Sequence, residues 1–337
     1  MNASRQAEVC VVIAAMNAAD TISRAIASAL REPAVSEVLV VNDASQDGTA
    51  EAASAADDGS GRLQVHTFEV NRGPAAARNH AIAHSQAPLI AILDADDLYL
   101  DGRFATLIDG DDWDLVADNI VFVDADEEKA EPSPPNFAAE PRFLGLKDFI
   151  EGNISKRGAR RGEVGFLKPV IRRSFLDAHK LRYREDLRLG EDYEFYVRAL
   201  ACGARYKIVR SCGYAATIRA NSLSSRHRTE DLKRLFQADQ AILSTQPLPD
   251  DAAAALREHE RHIRARYELR QFLDLKAQKG LMAAGLATLA RPAALPAVTG
   301  GVLADKLEGA FGKPQPAFGA GGTEGSLSFL MPGRVVS

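Results

Sequence analysis

Two hydrophobic patterns alternate along residues 9–94. Short, continuous apolar runs rich in β-branched residues are typical of buried strands, and each is followed by apolar residues at helical spacing. Strands that alternate with helices favour right-handed crossovers, so the sequence predicts an α/β fold with a mixed, mainly parallel sheet flanked by helices. The predicted strands are 9–15, 37–43, 63–69 and 88–94, and the predicted helices are 20–30 (capped by Asp20), 49–57 and 74–85.

The alternation ends after one further apolar run. Residues 113–126 predict a single strand, and the acidic, proline-rich segment 127–141 predicts a surface loop. Residues 146–220 mix helix and strand, with a helix at 191–203 that ends at a glycine.

The last part of the chain predicts a helical extension. Helical spacing covers 229–289, with breaks near Pro247 and Gly280. Here "HERHIRAR" places His259 and His262 three residues apart without a third ligand, which predicts an exposed helix rather than a metal site. The longer segment 256–272, "LREHERHIRARYELRQF", carries several arginines among apolar positions and could lie on anionic lipid, although packing against the rest of the protein is the simpler interpretation. The glycine- and proline-rich end of the chain predicts a flexible tail.

Composition narrows the class of protein. Hydrophobic residues make up 46% of the 337 residues and the net charge is −5, which is ordinary for a soluble globular protein and gives no basic field for nucleic acid. Cys10, Cys202 and Cys212 form no disulfide framework and suit a reducing compartment. Without a leader pattern or a long apolar run, the sequence predicts a cytoplasmic protein, and leaves peripheral membrane attachment and homodimerisation open.

Three carboxylates follow a predicted buried strand in "LIAILDADDLYLDGR". Unpaired carboxylates are costly at the edge of a core, and ligands of open α/β sheets bind at the carboxyl ends of the strands. An Asp-x-Asp formed by Asp94 and Asp96 could hold a divalent cation that neutralises a departing diphosphate. The alternative is that Asp96 and Asp97 only cap a turn.

Further charged residues could bind a ligand at the same edge of the sheet. Asp43 ends another predicted strand and could accept a hydrogen bond from a nucleobase or ribose, or simply form a turn. Arg72 and Arg78, in "NRGPAAARNHAI", could hold a phosphate or a base edge, or lie in solvent. Glu191 and Asp192 open a predicted helix, where they either stabilise its dipole or supply a general base for an acceptor hydroxyl.

Taken together, these segments resemble the family-two glycosyltransferases, inverting enzymes with the GT-A fold. The resemblance implies that Asp43 contacts uracil, that Asp94 contacts ribose, and that Asp96 binds Mg or Mn at the diphosphate. It implies Asp192 as the catalytic base, with Glu191 beside it. The matching segments, in order, are "VVIAAMNAADTISRAIASAL", "VLVVNDASQDGTA", "NRGPAAARNHAI", "APLIAILDADDLYLDGR", "FLKPVIRRSFL" and "GEDYEFYVRAL".

The resemblance also implies a nucleotide-sugar pocket, with one departure. Besides the carboxylates, it is expected to include Ala14, Ala15, Asn17, Ala95, Arg72 and Arg78. Members of the family often carry a Tyr where this chain has Met16, and a thioether can also pack against an aromatic base.

The organisation expected from the resemblance has four parts. Residues 1–126 form the nucleotide-sugar-binding half, 127–228 the acceptor-binding half, 229–292 a helical extension and 293–337 a flexible tail. The basic segment 155–163, "SKRGARRGE", could grip phosphates or form a solvated loop.

The function implied is transfer of a sugar from a UDP-sugar to a hydroxyl group of a saccharide acceptor. The resemblance is greatest to bacterial exopolysaccharide enzymes of the succinoglycan type, and leaves open an acceptor on a polyprenyl diphosphate. One alternative is a sugar-phosphate nucleotidyltransferase, but "AAMNAADT" lacks the glycine-rich, arginine-containing loop expected after the first strand. A second is a non-catalytic nucleotide-sugar-binding protein, which would have no need of both acidic motifs.

Overall fold

The computed structural model describes residues 8–124, 136–137, 141–154, 164–209, 211–218, 228–301, 303, 328–331 and 335–336. The basic segment 155–163 lies outside the described residues, as do most of the acidic loop and of the tail. The strands are β1 Val9–Ala15, β2 Val35–Asn42, β3 Leu63–Thr67, β4 Leu89–Ile92, β5 Leu98–Tyr99, β6 Leu115–Ala117, β7 Ile120–Asp124, β8 Asn136–Phe137, β9 Arg142–Leu144, β10 Val170–Arg172, β11 Tyr206–Ile208, β12 Tyr214–Ile218, β13 Ser328–Phe329 and β14 Val335–Val336. The helices are α1 Ile22–Leu30, α2 Thr49–Ala55, α3 Pro74–His84, α4 Arg103–Leu107, α5 Leu146–Glu151, α6 Arg173–Ala178, α7 Glu191–Ala201, α8 Thr229–Thr245 and α9 Asp250–Leu289.

An eight-stranded sheet forms the centre of the molecule, in the order β3-β2-β1-β4-β10-β6-β11-β9. The first four of these strands are parallel, and β10 runs antiparallel to both of its neighbours. Nearly every residue of β1 and β2 is buried, which explains why these strands appear in the sequence as continuous apolar runs. The prediction of a mixed, mainly parallel sheet with flanking helices is confirmed.

Two local predictions are wrong. Helix α1 begins at Ile22 after Thr21 as N-cap, so Asp20 does not cap it. The apolar run predicted as one strand divides into β6, in the large sheet, and β7, in a second sheet ordered β13-β7-β12-β5. The division occurs at Asp118 and Asn119, because the Asp118 carboxylate is buried against Arg103 and the Asn119 side chain bonds to the backbone of a distant segment.

The C-terminal helices pack against the body of the protein. Helix α8 ends before Pro247 and α9 breaks at Gly280, whose φ is 83°, so both predicted breaks are confirmed. The expectation of an exposed helix at His259 is wrong: this side chain is buried, stacks on Tyr193 of α7 and contacts Asp239 of α8. Packing of α9 against the rest of the protein, the simpler of the two interpretations, is therefore correct for this part of the helix.

Two short strands lie near the end of the chain, where β13 pairs with β7 and β14 pairs with β8. No single helix among the described residues has the length and apolar character to cross a membrane. The α9 helix and Pro292–Gly301, bent by 110°, meet those two criteria only as a pair.

Candidate active site

The turn after β2 holds a buried carboxylate. The backbone N–H of Asp43 donates to the carbonyl of Ala15 at 2.8 Å, which joins the ends of β2 and β1. The Asp43 carboxylate accepts hydrogen bonds from the backbone N–H of Arg72 at 2.6 Å, the N–H of Gly73 at 2.8 Å and the Asn71 amide at 2.7 Å. Only one of these donors reaches Oδ1, so this oxygen keeps a lone pair for a ligand.

The rim of this turn is formed by the chain that leaves β1. Met16 is 45% exposed, and its sulfur lies 3.0 Å from the Asn71 amide nitrogen. Asn17 has a positive φ of 52°, donates its N–H to Ser45 and accepts from the N–H of Gln46. Backbone conformations of this kind are uncommon outside glycine and are concentrated at ligand sites.

At the carboxyl end of β4, five charged side chains form one network. Arg78 of α3 donates to Asp94 at 3.2 Å, to Glu191 at 2.9 Å and to Asp192 at 3.1 Å. Lys168 lies 2.9 Å from the second oxygen of Asp94 and 3.0 Å from the second oxygen of Asp192. Both cations are buried, whereas the Asp94 side chain is 35% exposed, so the network opens to solvent at Asp94.

Ion pairing favours the charged forms of Asp94, Arg78 and Lys168. Burial opposes ionisation of Asp94, but Lys168 and Arg78 outweigh it and lower the pKa of this carboxyl to about 2. Burial likewise opposes the charge on Arg78 and Lys168, yet Asp192 and the other carboxylates raise the pKa of both cations above their usual values. Three carboxylates facing two cations leave an excess of one negative charge.

A second group of acids follows directly in sequence. Asp97 is buried and accepts hydrogen bonds from the Tyr214 hydroxyl at 2.7 Å and the Thr217 N–H at 2.8 Å. Burial, followed by the charges of Asp94 and Asp96, raises the pKa of Asp97 to about 8. The carboxylates at the end of β4 offer only oxygen ligands and carry excess negative charge, which suits a hard divalent cation. The half-buried Asp96 could therefore be a ligand for Mg²⁺ or Mn²⁺.

The two parts of the site share one edge of the sheet. Asp43 follows β2 and Asp94 follows β4, with β1 between them, so the spacing of strands places the ends of β2 and β4 about 10 Å apart. The half-buried Ala14 and the buried Ala15 and Ala95 lie at this edge. The Arg72 side chain instead stacks over Phe68 and donates to Glu185, and only its backbone serves the site.

Sequence reasoning missed Lys168 and the pair that supports it. Arg103 donates to Asp118 at 2.9 Å and to the backbone carbonyl of Lys168 at 2.7 Å, and both side chains of this ion pair are fully buried. The Gly213 N–H completes the pair by donating to Asp118 at 2.6 Å. A lone lysine in "FLKPVIRRSFL" carries no periodic signal, so its apolar surroundings were the only cue available.

Several known proteins resemble this chain in sequence. The profile of the family described as glycosyl transferase family 2 matches residues 10–176. The succinoglycan biosynthesis protein ExoU of Rhizobium meliloti is 58% identical over 332 residues, which cover 98% of this chain and 97% of that protein. The Escherichia coli UDP-Glc:alpha-D-GlcNAc-diphosphoundecaprenol beta-1,3-glucosyltransferase WfgD is 31% identical over 60% of this chain and 78% of its own length.

Solved structures show the same architecture. The crystal structure of S. aureus TarS 1–349 in complex with UDP-GlcNAc superimposes with a TM-score of 0.56 at 20% identity, covering 81% of this chain and 76% of that chain. At this level of identity the likeness concerns the fold alone.

Proposed function

Because this chain belongs to glycosyl transferase family 2 and has the GT-A fold, we propose that it transfers a sugar from a UDP-sugar to a hydroxyl group of a saccharide acceptor, with inversion. The observation that carries the proposal is the network at the end of β4. Arg78 and Lys168 each contact both Asp94 and Asp192, so two carboxylates from distant segments, the candidates for donor binding and for the catalytic base, lie within one site.

Donor binding uses the edge between β2 and β4. Asp43 reads the base, since its Oδ1 keeps a lone pair for a uracil N–H. Asp94 receives one cation on each oxygen and is a third exposed, which leaves acceptor capacity for the ribose hydroxyls. Asp96 would hold Mg²⁺ or Mn²⁺, and the ion would neutralise charge on the departing diphosphate.

Asp192 activates the acceptor. It takes the proton of the acceptor hydroxyl while that oxygen attacks the anomeric carbon from the face opposite the diphosphate. The bond from the anomeric carbon to the diphosphate oxygen breaks, and UDP leaves with the electron pair. This single displacement inverts the anomeric centre without a covalent enzyme intermediate. Lys168 and Arg78 orient the Asp192 carboxylate through hydrogen bonds, and Glu191 shares Arg78 with it.

The relatives support a more specific role. We assign the chain to synthesis of an exopolysaccharide of the succinoglycan type, in line with 58% identity to a succinoglycan biosynthesis protein over nearly its whole length. WfgD is named for an acceptor on diphosphoundecaprenol, which supports a polyprenyl-diphosphate-linked acceptor here. Such an acceptor places the enzyme at the cytoplasmic face of a membrane.

The part of α9 that follows Gly280 fits that location. After Gly280 it exposes four large apolar side chains, each at least 64% accessible, and two exposed lysines precede them: Leu281, Met282, Leu286 and Leu289, after Lys276 and Lys279. An apolar face next to cations suits an anionic lipid surface. Co-sedimentation with anionic phosphatidylglycerol vesicles should fall sharply for Leu286→Ser and remain unchanged for Val70→Ser, an equally exposed apolar residue elsewhere. Equal sedimentation of both variants would contradict lipid attachment through α9.

The donor class is tested by thermal shift with a panel of nucleotide sugars, each with and without Mn²⁺. A ligand that binds the native state raises its melting temperature, and we expect UDP-sugars with Mn²⁺ to give the largest shift.

A product-release assay tests the reaction. Slow release of UDP from one UDP-sugar supports the transferase. Release of pyrophosphate from UTP would instead identify a nucleotidyltransferase, and binding without any release would identify a non-catalytic protein. Unchanged UDP affinity of Asp96→Ala in Mn²⁺ would contradict the metal assignment.

A further inference from the structure

A cluster of three histidines lies outside the proposed active site. His66 is on β3, and His80 and His84 are one turn apart on α3, so both point from the same side of that helix. One ring nitrogen from each lies within 4.8 Å of the others, and Nδ1 of His66 is 2.8 Å from Nε2 of His80. His66 and His80 are half-buried and His84 is exposed, so the cluster is open to solvent on one side.

The hydrogen bonds of the cluster prepare its nitrogens as ligands. Nδ1 of His84 lies 2.8 Å from the carbonyl oxygen of His80; a carbonyl can only accept, so this nitrogen carries the proton. In the neutral ring, Nε2 of His84 then presents a lone pair, and the hydrogen bond at Nδ1 orients the ring as outer hydrogen bonds orient metal-binding histidines. Between His66 and His80 a single proton is shared by two facing nitrogens, and a cation can replace it.

The surroundings of His66 and His80 disfavour the protonated form of both rings. Burial, followed by the neighbouring His84, lowers the pKa of both His66 and His80 below the usual value for histidine. Neutral imidazole is the form that coordinates metals. His84 stacks on His80 with 4.0 Å between ring centroids, and His66 meets both rings edge-on.

We propose that His66, His80 and His84 form a binding site for a divalent transition-metal ion of the Zn²⁺ class, distinct from the carboxylate site. Imidazole nitrogen favours Zn²⁺, Ni²⁺, Co²⁺ and Cu²⁺, whereas Mg²⁺ and Mn²⁺ prefer oxygen ligands. Three histidines and one water complete a tetrahedral Zn²⁺ shell with bonds of about 2.0–2.1 Å.

The site borders the segment between β3 and α3, which donates three hydrogen bonds to the Asp43 carboxylate. His80 packs against Phe68 in this segment, with ring centroids 5.1 Å apart, and the Arg72 guanidinium lies over the same ring, 4.8 Å from its centroid. Helix α3 also carries Arg78 two residues before His80. A metal bound to β3 and α3 would thus tie together the two elements that flank segment 68–73, whose Asn71, Arg72 and Gly73 donate to Asp43.

Calorimetric titration of the chelator-treated full chain with Zn²⁺, in the presence of excess Mg²⁺, tests the proposal. We expect one equivalent to bind, and His84→Gln and His66→Gln each to weaken the Zn²⁺ affinity at least tenfold. His179→Gln, at an exposed histidine after α6, is the matched control and should keep wild-type affinity. UDP binding in Mn²⁺, measured on every variant, shows that each one is folded. Absence of Zn²⁺ binding by the wild type, or unchanged affinity in both cluster variants, would overturn the proposal.

Discussion

Replacing Lys168 with methionine removes a buried ammonium group and keeps a side chain of similar length. In the wild type this group lies 2.9 Å from Asp94 and 3.0 Å from Asp192. The substitution leaves Arg78 to face three carboxylates alone, so the excess negative charge of the network rises from one to two. Asp192 then has a single cation to hold it, and its orientation toward an acceptor is less defined.

The expected loss of stability follows from the burial of the ion pairs that Lys168 makes. Removing one partner of a buried ion pair costs about 3–5 kcal/mol, because the remaining charge is left without compensation. Arg78 still contacts both carboxylates and Asp94 is 35% exposed, so we expect the lower end, about 3 kcal/mol. Misplacement of a reacting group by about 1 Å costs on the order of 100-fold in rate, and we expect a loss of transfer of that size.

Urea unfolding and a UDP-release assay measure the two effects. Lys233→Met is the matched control, since Lys233 is exposed and its contact with Glu230 at 3.5 Å is a surface pair worth at most about 1 kcal/mol. Adding Asp192→Asn to Lys168→Met should recover part of the lost stability, because it removes a carboxylate that the lysine no longer balances. Wild-type stability and wild-type transfer in Lys168→Met would refute the idea that this lysine organises the site.

Three further substitutions test the supports of the site. Asp118→Ala leaves Arg103 charged in the interior and should lower the free energy of unfolding in urea by about 3–5 kcal/mol; a loss below about 1 kcal/mol would contradict the role of this ion pair. Gly213→Ala places a methyl group against the Arg103 side chain and should destabilise by about 1–3 kcal/mol in the same assay, and neutral behaviour would show that the arginine can move aside. Asn71→Ala removes a hydrogen-bond donor from the buried Asp43 carboxylate. The UDP affinity measured by calorimetry should therefore fall, while the ion pairs that Arg78 and Lys168 make with Asp192 are unaffected. Unchanged UDP affinity would show that Asn71 does not support nucleobase binding.

The α/β order of the first strands and helices was predictable because each element carries its own periodicity. β1 and β2 are buried along nearly their whole length, so their apolar runs need no knowledge of the rest of the chain. The break between β6 and β7 was not predictable from such patterns. It depends on Arg103, 15 residues before Asp118, and on Met331, 212 residues after Asn119.

The candidate site also contains some residues that sequence patterns reveal and others that they do not. Carboxylates at strand ends and at the start of α7 are recognisable from sequence, because those positions are known ligand sites of α/β sheets. Lys168 is not, since its meaning comes only from contacts with Asp94 and with Asp192, 24 residues further along the chain. The buried environment of His259 was missed for the same reason: its partners belong to α7 and α8.

The most direct test of the central claim compares binding and turnover in Asp192→Asn. This change keeps the shape of the side chain and removes its ability to take a proton from an acceptor hydroxyl. Calorimetry should show UDP affinity in Mn²⁺ close to that of the wild type, while transfer to the saccharide acceptor falls by at least about 100-fold. Full transfer activity in this variant, with UDP binding intact, would contradict the assignment of Asp192 as the base around which the site is built.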